Sequence, residues 1–416
     1  MQNIGIVTFT RTLNDNFGTH LQCYALIQAI RQTAVQLQQH GKLPDAQVAV
    51  GLIPFYDQSA YKLAHDRAAG YLRSVPSTQL LTAQHKQQAL QYFKQNLERL
   101  RKFEHSTQSL AQGFDSEQRP DKLICGSDCI WMFPEKGEFR LAGHLFGQIP
   151  QFAGVPCYAY GPSFAQTHCN AANENYWKHK HDLRQLFTRF RRISLREHEW
   201  LDELNSMQLP CPPITTVLDP TLLLEASAYA QFTAKSLVEE PYLLVYYFNQ
   251  YYGATEYRIL ELVDTIAQYC KAHHCPEITV IDVSPSQWLA STPLVAERFK
   301  ALHIKYKYLF AVAPSEFVNL AAHSTMTFCN SYHCVLFSLI MQRPFLYQHN
   351  DPNDPRFVEL VRNFNIEPLL MHPKLAQHPD LLQDTVDLVL ENYRTRVVPL
   401  REHSLAYIGQ ILTDKL

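Results

Sequence analysis

The sequence predicts an α/β protein in which two Rossmann-like domains face a cleft. Three observations support this class. Runs rich in β-forming residues alternate with helical patterns in both halves of the chain, an order that produces parallel sheets. The 416 residues exceed what one ordinary core requires, which favours two domains. Prolines at positions 210, 212 and 213 separate the two alternating stretches.

The first half, residues 1–215, is the predicted N-terminal domain. An amphipathic helix follows its first strand, with apolar residues recurring on one face between positions 21 and 30. Residues 59–110, rich in Gln, Lys, Leu and Ala, are predicted to form helices over the sheet. The strands are predicted at residues 4–10, 46–54, 122–125, 155–160 and 192–195.

A connector at residues 216–240 leads into the predicted C-terminal domain, residues 241–380, where the alternation resumes. Residues 381–416 are predicted to be helical and to pack across both domains. Strands are predicted at residues 242–248, 277–281 and 325–329, and helices at residues 256–270 and 314–322.

Composition excludes several classes of protein. The 37 basic and 39 acidic residues leave a formal charge of −2, so no bulk basic field favours nucleic acid. The chain lacks a signal-peptide pattern at its start and an apolar run of about 18 residues, so we expect a cytoplasmic protein without a membrane span.

Its ten scattered cysteines have no CxxC spacing, which favours free thiols and no metal site. A homo-oligomer is compatible with this composition.

Common cofactor and nucleotide motifs are absent. The sequence has no GxGxxG, GxxxxGK[ST], HExxH, GxSxG or DxD. We therefore expect no bound cofactor, and any anion must be held without a glycine-rich loop.

The segment at residues 330–334, Asn-Ser-Tyr-His-Cys, carries the most information. It lies between a predicted strand and a predicted helix, at the sheet edge where open α/β folds bind ligands. Ser331 can cap the helix, whose free N–H groups can hold an anion, and His333 can move a proton near neutral pH. The alternative is that His333 only fills space or caps.

Arg196 lies at a second predicted junction between a strand and a helix, because residues 193–195 resemble a strand and the next residues open a helix. A guanidinium suits bidentate binding of phosphate or carboxylate. Local sequence alone favours the alternative, a surface arginine paired with Glu197 or Glu199.

Polar and aromatic residues follow other predicted strands. Asp128 can cap a helix or orient a ligand, and Trp131 can stack on a sugar or belong to the core. Ser163 can donate to an anion or close a turn. Asn16 and Gly18 end the first loop, where capping and ligand contact are equally plausible.

Two further positions lie near the predicted cleft. Tyr246 and Tyr247 are adjacent on a strand and must face opposite sides, so one is expected in the core and the other in the cleft. Asp219, next to Pro220, is expected mainly to fix the connector.

Taken in order, seven segments resemble the polysaccharide pyruvyl transferase family. Residues 4–9 with 16–26 are similar to its IGI-TF…NYG…LQ-YAL start, and residues 331–338 to its SFHG-vFS motif. The remaining segments are similar to GSD-vW, Y–SF, iSvRE, lDPtlLl and P-eF, and lie at residues 126–131, 160–164, 193–197, 218–223 and 314–317.

The resemblance implies a two-domain fold similar to GT-B glycosyltransferases. It also implies transfer of pyruvate from phosphoenolpyruvate to sugar hydroxyls of a surface glycan or lipid-linked precursor, as a cyclic ketal. His333 would be the catalytic acid or base. Donor binding is predicted for Arg196, Ser163, Ser331 and Tyr332, and a place in the cleft or acceptor site for Asn16, Gly18, Asp128, Trp131 and Tyr246.

The sequence departs from the family pattern beside the histidine. Cys334 replaces a usual glycine, where its side chain is expected to crowd a ligand, and Tyr332 replaces phenylalanine. Two other functions remain open: a glycosyltransferase that uses a nucleotide sugar in the same cleft, and a glycan-binding member without catalysis.

Overall fold

The computed structural model contains two parallel β-sheets flanked by helices, which confirms the predicted α/β class. The predicted helices at residues 59–110 lie outside the residues that the structure describes. Those described residues are 2–9, 16–44, 48–53, 119–139, 142–248, 256–275, 277–284, 293–309, 312–349 and 351–415.

Among the described residues, the N-terminal sheet has six strands in the order β2-β1-β3-β4-β5-β6. The pairing of Ile6 with both Leu52 and Ile124 places β1 between β2 and β3, where its apolar residues are buried. Strand order changes direction between β1 and β3, which is where open α/β sheets bind ligands. The strands are β1 Gln2–Val7, β2 Val48–Leu52, β3 Lys122–Cys125, β4 Cys157–Ala159, β5 Phe190–Leu195 and β6 Thr215–Thr216.

In the part of the chain that the structure describes, the C-terminal sheet has five strands in the order β11-β10-β7-β8-β9. Its change of direction lies between β7 and β10. The side chain of Asn330 accepts a hydrogen bond from Phe248 N (2.6 Å) and donates one to Phe248 O (3.0 Å), so it holds these two strand ends together. The strands are β7 Tyr242–Tyr246, β8 Thr279–Asp282, β9 Lys305–Tyr308, β10 Met326–Cys329 and β11 Phe345–Tyr347.

The eight predicted strands are all present, with bounds that differ by up to three residues. The strands β6, β9 and β11 were not predicted. Their sequences explain the omission, because β6 has two residues, β11 has three, and β9 alternates lysine with tyrosine at a half-exposed edge.

Helices connect the strands and cover the sheets. The first helix begins after Asn16, whose side chain accepts a hydrogen bond from Gly18 N (3.0 Å), as an N-cap does. The helices are α1 Phe17–Gln39, α2 Glu174–Phe187, α3 Leu201–Ser206, α4 Ala230–Thr233, α5 Glu256–Ala272, α6 Pro293–Ala301, α7 Pro314–His323, α8 Tyr332–Ile340, α9 Pro355–Phe364, α10 Pro373–Ala376 and α11 Pro379–Thr413.

The long helix α11 contacts β3 of the N-terminal sheet and α9, which follows the last strand of the C-terminal sheet, as predicted for the C-terminal segment. At its end, the buried Lys122 ammonium of β3 donates to the carbonyl oxygens of Ile411 (2.7 Å) and Leu412 (2.9 Å). A cation suits these carbonyls because the last turn of a helix leaves them unpaired. Nearer its start, Tyr393 packs on Phe364 of α9 at 5.2 Å between ring centroids.

Within the described part of the chain, no helix combines the length and apolar character needed to cross a membrane. The division of the chain at residues 215, 240 and 380 stays a prediction.

Candidate functional site

Arg196 and His333, 137 positions apart in the sequence, meet at the carboxylate of Asp219. Arg196 Nη1 donates to Asp219 Oδ2 at 2.8 Å, and His333 Nε2 lies 3.5 Å from the same oxygen. The second separation is an ion-pair distance that lacks hydrogen-bond geometry. Water reaches only 2% of Arg196, 1% of Asp219 and 6% of His333, so it screens charges at this site poorly.

Each residue is positioned by the end of a regular element. Arg196 directly follows β5, and His333 is in the first turn of α8, directly after β10. Ser331 caps α8 by accepting from Cys334 N at 3.4 Å, which is the predicted capping role. Asp219 precedes a 3₁₀ turn, and its Oδ1 accepts from Thr221 N (3.0 Å) and Thr221 Oγ1 (2.7 Å), leaving Oδ2 for Arg196 and His333.

Gly18 of α1 completes the surroundings of the His333 ring. A Cβ atom added at this position would lie 2.0 Å from His333 Nδ1 and 2.2 Å from its Cγ. Only a residue without a side chain therefore allows the first turn of α1 to lie against the imidazole. Gly18 and Asn16 were predicted near the cleft; Gly18 contacts the site, whereas ligand contact by Asn16 stays a prediction.

The surrounding charges determine the ionisation states of Asp219 and Arg196. Burial opposes ionisation of Asp219, but His333, Arg196 and the hydrogen bond from Thr221 outweigh it and hold the pKa of its carboxyl well below the ordinary value. Burial also disfavours the Arg196 cation, yet Glu197 and other neighbours raise the guanidinium pKa well above normal. Asp219 is thus an anion and Arg196 a cation throughout the physiological range.

Glu197 and Tyr332 hold the guanidinium of Arg196 from other directions. Arg196 Nε donates to Glu197 Oε1 at 2.8 Å, so the ion pair predicted as an alternative does form, but it is buried rather than exposed. The Tyr332 ring lies over the guanidinium, with its centroid 4.7 Å from Cζ, a cation–π geometry. Burial raises the pKa of the Tyr332 phenol, so it stays neutral.

Ser163 and Asp128 form turns at the edge of the N-terminal sheet. Ser163 Oγ accepts from Ala165 N (2.8 Å), and Ser163 N donates to Asp128 O (2.9 Å). Asp128 Oδ1 accepts from Cys129 N (2.8 Å), in a left-handed backbone conformation with φ 72°. Both residues are buried. Ser163 therefore closes a turn, and its contact with a donor stays a prediction.

The prediction that Trp131 and Tyr246 line the cleft is wrong, because both side chains are 0% exposed. Trp131 stacks on Phe146 at 5.3 Å, and its Nε1 donates to Leu145 O at 3.2 Å. Tyr246 packs on Phe17, with ring centroids 5.2 Å apart. Tyr247 is also fully buried, so neither face of this strand end exposes a tyrosine.

Cys334 does not crowd the site. Its side chain is fully buried, and burial together with the neighbouring Cys329 raises the pKa of its thiol well above normal. The replacement of glycine at this position is therefore accommodated in the core beside β10.

Sequence reasoning missed three residues of the site. Asp219 was assigned to the connector, although it joins Arg196 to His333. Glu359 of α9 accepts from His198 Nδ1 (2.8 Å) and links the two halves of the chain near Arg196. Arg356, also on α9, approaches Cys129 with Nη1 4.0 Å from Sγ. The Asp-Pro at positions 219–220 was an available signal, whereas nothing local distinguishes Glu359 or Arg356.

The arrangement combines a fixed anion, a fixed cation and an imidazole in a water-poor setting. A buried carboxylate beside one ring nitrogen can stabilise an imidazolium, which allows the ring to give and take protons. The guanidinium can neutralise an anionic ligand. Among the described residues, no group of three or more His, Cys, Asp or Glu side chains is placed to hold a metal ion.

Comparisons with known proteins give one match to a family. The family model described as polysaccharide pyruvyl transferase matches residues 16–347, a span that includes Gly18, Arg196, Asp219 and His333. No curated protein matches this chain.

Several solved structures are similar to this chain at low identity. UDP-GlcNAc 2-epimerase from Neisseria meningitidis, bound to UDP-GlcNAc, is 11% identical with a TM-score of 0.47, covering 100% of both chains. A putative UDP-N-acetylglucosamine 2-epimerase from Listeria monocytogenes is 11% identical with a TM-score of 0.48, covering 98% of this chain and 96% of that one. Anabaena HepE in complex with UDP and glucose is 12% identical with a TM-score of 0.46, covering 97% and 98%. At these values the similarities carry no inference about substrate.

Proposed function

This chain belongs to the polysaccharide pyruvyl transferase family, and from that premise we propose that it transfers a pyruvyl group from phosphoenolpyruvate to two hydroxyls of a sugar. The product would be a cyclic ketal on a surface glycan or a lipid-linked precursor. The observation that carries the proposal is the meeting of Arg196 and His333 at one carboxylate oxygen of Asp219.

Arg196 suits the donor. Phosphoenolpyruvate carries a phosphate and a carboxylate, and a guanidinium binds both groups well. Arg196 is held in place by Glu197, Asp219 and the ring of Tyr332. A cation that is already oriented loses little conformational entropy when it binds an anion.

His333 suits the proton transfers. Its Nε2 lies beside the Asp219 carboxylate, which would stabilise the protonated ring. A proton from the imidazolium would add to the methylene carbon of phosphoenolpyruvate, leaving an oxocarbenium-like carbon. The first sugar hydroxyl would attack that carbon and return its proton to the imidazole.

Closure of the ketal ring would use Arg196 and Asp219. The second sugar hydroxyl would attack the same carbon as the bond to the phosphate oxygen breaks, and its proton would leave with the phosphate. Arg196 would neutralise charge on the departing phosphate, as electrostatic stabilisation of a leaving group requires. Asp219 would stabilise the imidazolium between these steps.

The test is to incubate the protein with phosphoenolpyruvate and a panel of glycosides that present neighbouring hydroxyl pairs. We expect phosphate release that depends on both substrates, with a pyruvyl mass increment on one glycoside. Nucleotide sugars should neither be consumed nor protect the protein against heat. Glycosyl transfer from a nucleotide sugar, or glycan binding without phosphate release in the presence of phosphoenolpyruvate, would contradict the proposal.

A further inference from the structure

A second guanidinium, that of Arg356, approaches the same cysteine as Arg196 does. Arg356 lies in the first turn of α9, and its Nη1 is 4.0 Å from Cys129 Sγ. Arg196 Nη2 lies 3.7 Å from the same sulfur. Two cations carried by different halves of the chain therefore point N–H groups at a single atom.

Each guanidinium also donates hydrogen bonds to carboxylates, through N–H groups that do not point at Cys129. Arg356 donates from Nε to Asp354 Oδ1 (2.9 Å) and from Nη2 to Asp354 Oδ2 (2.6 Å). Arg196 is held by Glu197 and Asp219 in the same way. These acids reduce the net charge but also fix the direction of the remaining N–H groups, so any ligand between the arginines is selected by directed hydrogen bonds.

The group between the two arginines is a poor acceptor. Burial and the neighbouring Asp128 raise the pKa of the Cys129 thiol to about 11, so the sulfur carries no charge at neutral pH. A neutral thiol accepts hydrogen bonds weakly. Cys129 Sγ lies within 4.0 Å of both Arg196 Nη2 and Arg356 Nη1, while the Glu197 carboxylate interacts electrostatically with both guanidiniums. A ligand with several anionic oxygens would satisfy both donors much better than sulfur does.

We infer that Arg196 and Arg356 form a clamp for the phosphate group of the donor, with Cys129 as its floor. This assignment rests on the proposed function, since it names the part of phosphoenolpyruvate that Arg356 binds. It also makes donor binding a property of both halves of the chain, because neither arginine alone brackets the anion.

The experiment measures binding of phosphoenolpyruvate, inorganic phosphate and pyruvate by calorimetry to the full-length protein and to Arg356→Gln. We expect the first two affinities to fall about 10- to 100-fold, the range for losing charge-assisted hydrogen bonds. The affinity for pyruvate, which lacks phosphate, should not change. Arg362→Gln, an exposed arginine on the same helix, is the matched control and should leave all three affinities unchanged.

A second variant distinguishes loss of phosphate binding from loss of the fold. Arg356→Gln leaves the buried Asp354 carboxylate unpaired, so the double change Asp354→Asn with Arg356→Gln removes that charge while an asparagine can still cap α9. Both variants should show the loss of phosphate affinity, with unchanged circular dichroism.

Three of the four outcomes below separate this inference from the proposed function, and the last would overturn both. Unchanged affinity for phosphoenolpyruvate in both variants would overturn the clamp and leave the proposed function standing. Equal losses for pyruvate and phosphate would overturn the assignment to phosphate. Arg356-dependent binding of inorganic phosphate without binding of phosphoenolpyruvate would support the clamp and reject the donor. A wild-type protein that binds none of the three ligands would overturn the clamp.

Discussion

Replacing His333 with alanine is expected to lower turnover by at least about 10²- to 10⁴-fold, the range that a positioned acid or base contributes. Among the described residues, Arg196 and His333 are the basic side chains within ion-pair distance of Asp219, and an imidazole is the type of side chain suited to exchange protons near neutral pH. Phosphate release in the presence of phosphoenolpyruvate and the accepted glycoside is the measurement.

The fold should survive this change. Asp219 keeps its ion pair with Arg196 and both hydrogen bonds from Thr221, so it does not become an unpaired buried charge. We expect a loss of about 1–3 kcal/mol in unfolding free energy from the lost contact. His181→Ala, at an exposed position on α2, is the matched control and should keep full turnover. Turnover of His333→Ala at the control's level would reject the role of the imidazole.

Replacing Gly18 with alanine is expected to disturb the same ring from the opposite side. The new methyl carbon would lie 2.0 Å from His333 Nδ1, far inside van der Waals contact, so the imidazole or the start of α1 must move. Overpacking of this kind costs about 1–3 kcal/mol. Turnover should fall towards that of His333→Ala because displacement of a catalytic group by about 1 Å is enough to slow a reaction about 100-fold.

The clash between the new methyl group and the His333 ring predicts that the stability effects of the two substitutions depend on each other. In a His333→Ala background the obstructing ring is gone, so Gly18→Ala should cost little stability or even gain about 0.5–1 kcal/mol, as alanine usually does over glycine within a helix. Gly409→Ala is the matched control, because a Cβ there would meet nothing closer than 3.9 Å. Urea unfolding of the single and double variants checks this; an equal cost of Gly18→Ala in both backgrounds would refute the contact.

The sequence was sufficient to predict the class of fold and the meeting of Arg196 with His333. Both residues directly follow a strand, and the carboxyl ends of parallel strands are where such sheets gather their ligand-binding groups. The family resemblance selected these two positions among many polar residues at strand ends. Pattern alone favoured an exposed pair for Arg196 with Glu197, because burial of the guanidinium depends on elements far away in the chain.

Side chains at strand ends were harder to assign when they were aromatic. Trp131 and Tyr246 follow or end strands as cleft residues do, yet both face the interior. Their direction depends on neighbours such as Phe146 and Phe17, which approach from other elements. Large aromatic rings gain more from burial than from a wet surface, so the core is their usual place.

Arg356 and Glu359 could not be predicted because their role exists only after the two sheets are packed together. Locally, Asp354-Pro355-Arg356 is an ordinary helix start, with Asp354 as the cap. Only the packing of α9 near the end of β5 brings these side chains to Cys129 and His198.

The most direct test of the central claim follows the proton that His333 is proposed to deliver. Wild-type protein is incubated in D₂O with phosphoenolpyruvate and the accepted glycoside, and the pyruvyl methyl group of the product is examined by NMR and mass spectrometry. We predict one solvent-derived deuterium in that methyl group, and no such product from His333→Ala. A pyruvylated glycoside whose methyl group contains no deuterium, or equal labelled product from the alanine variant, would contradict the account.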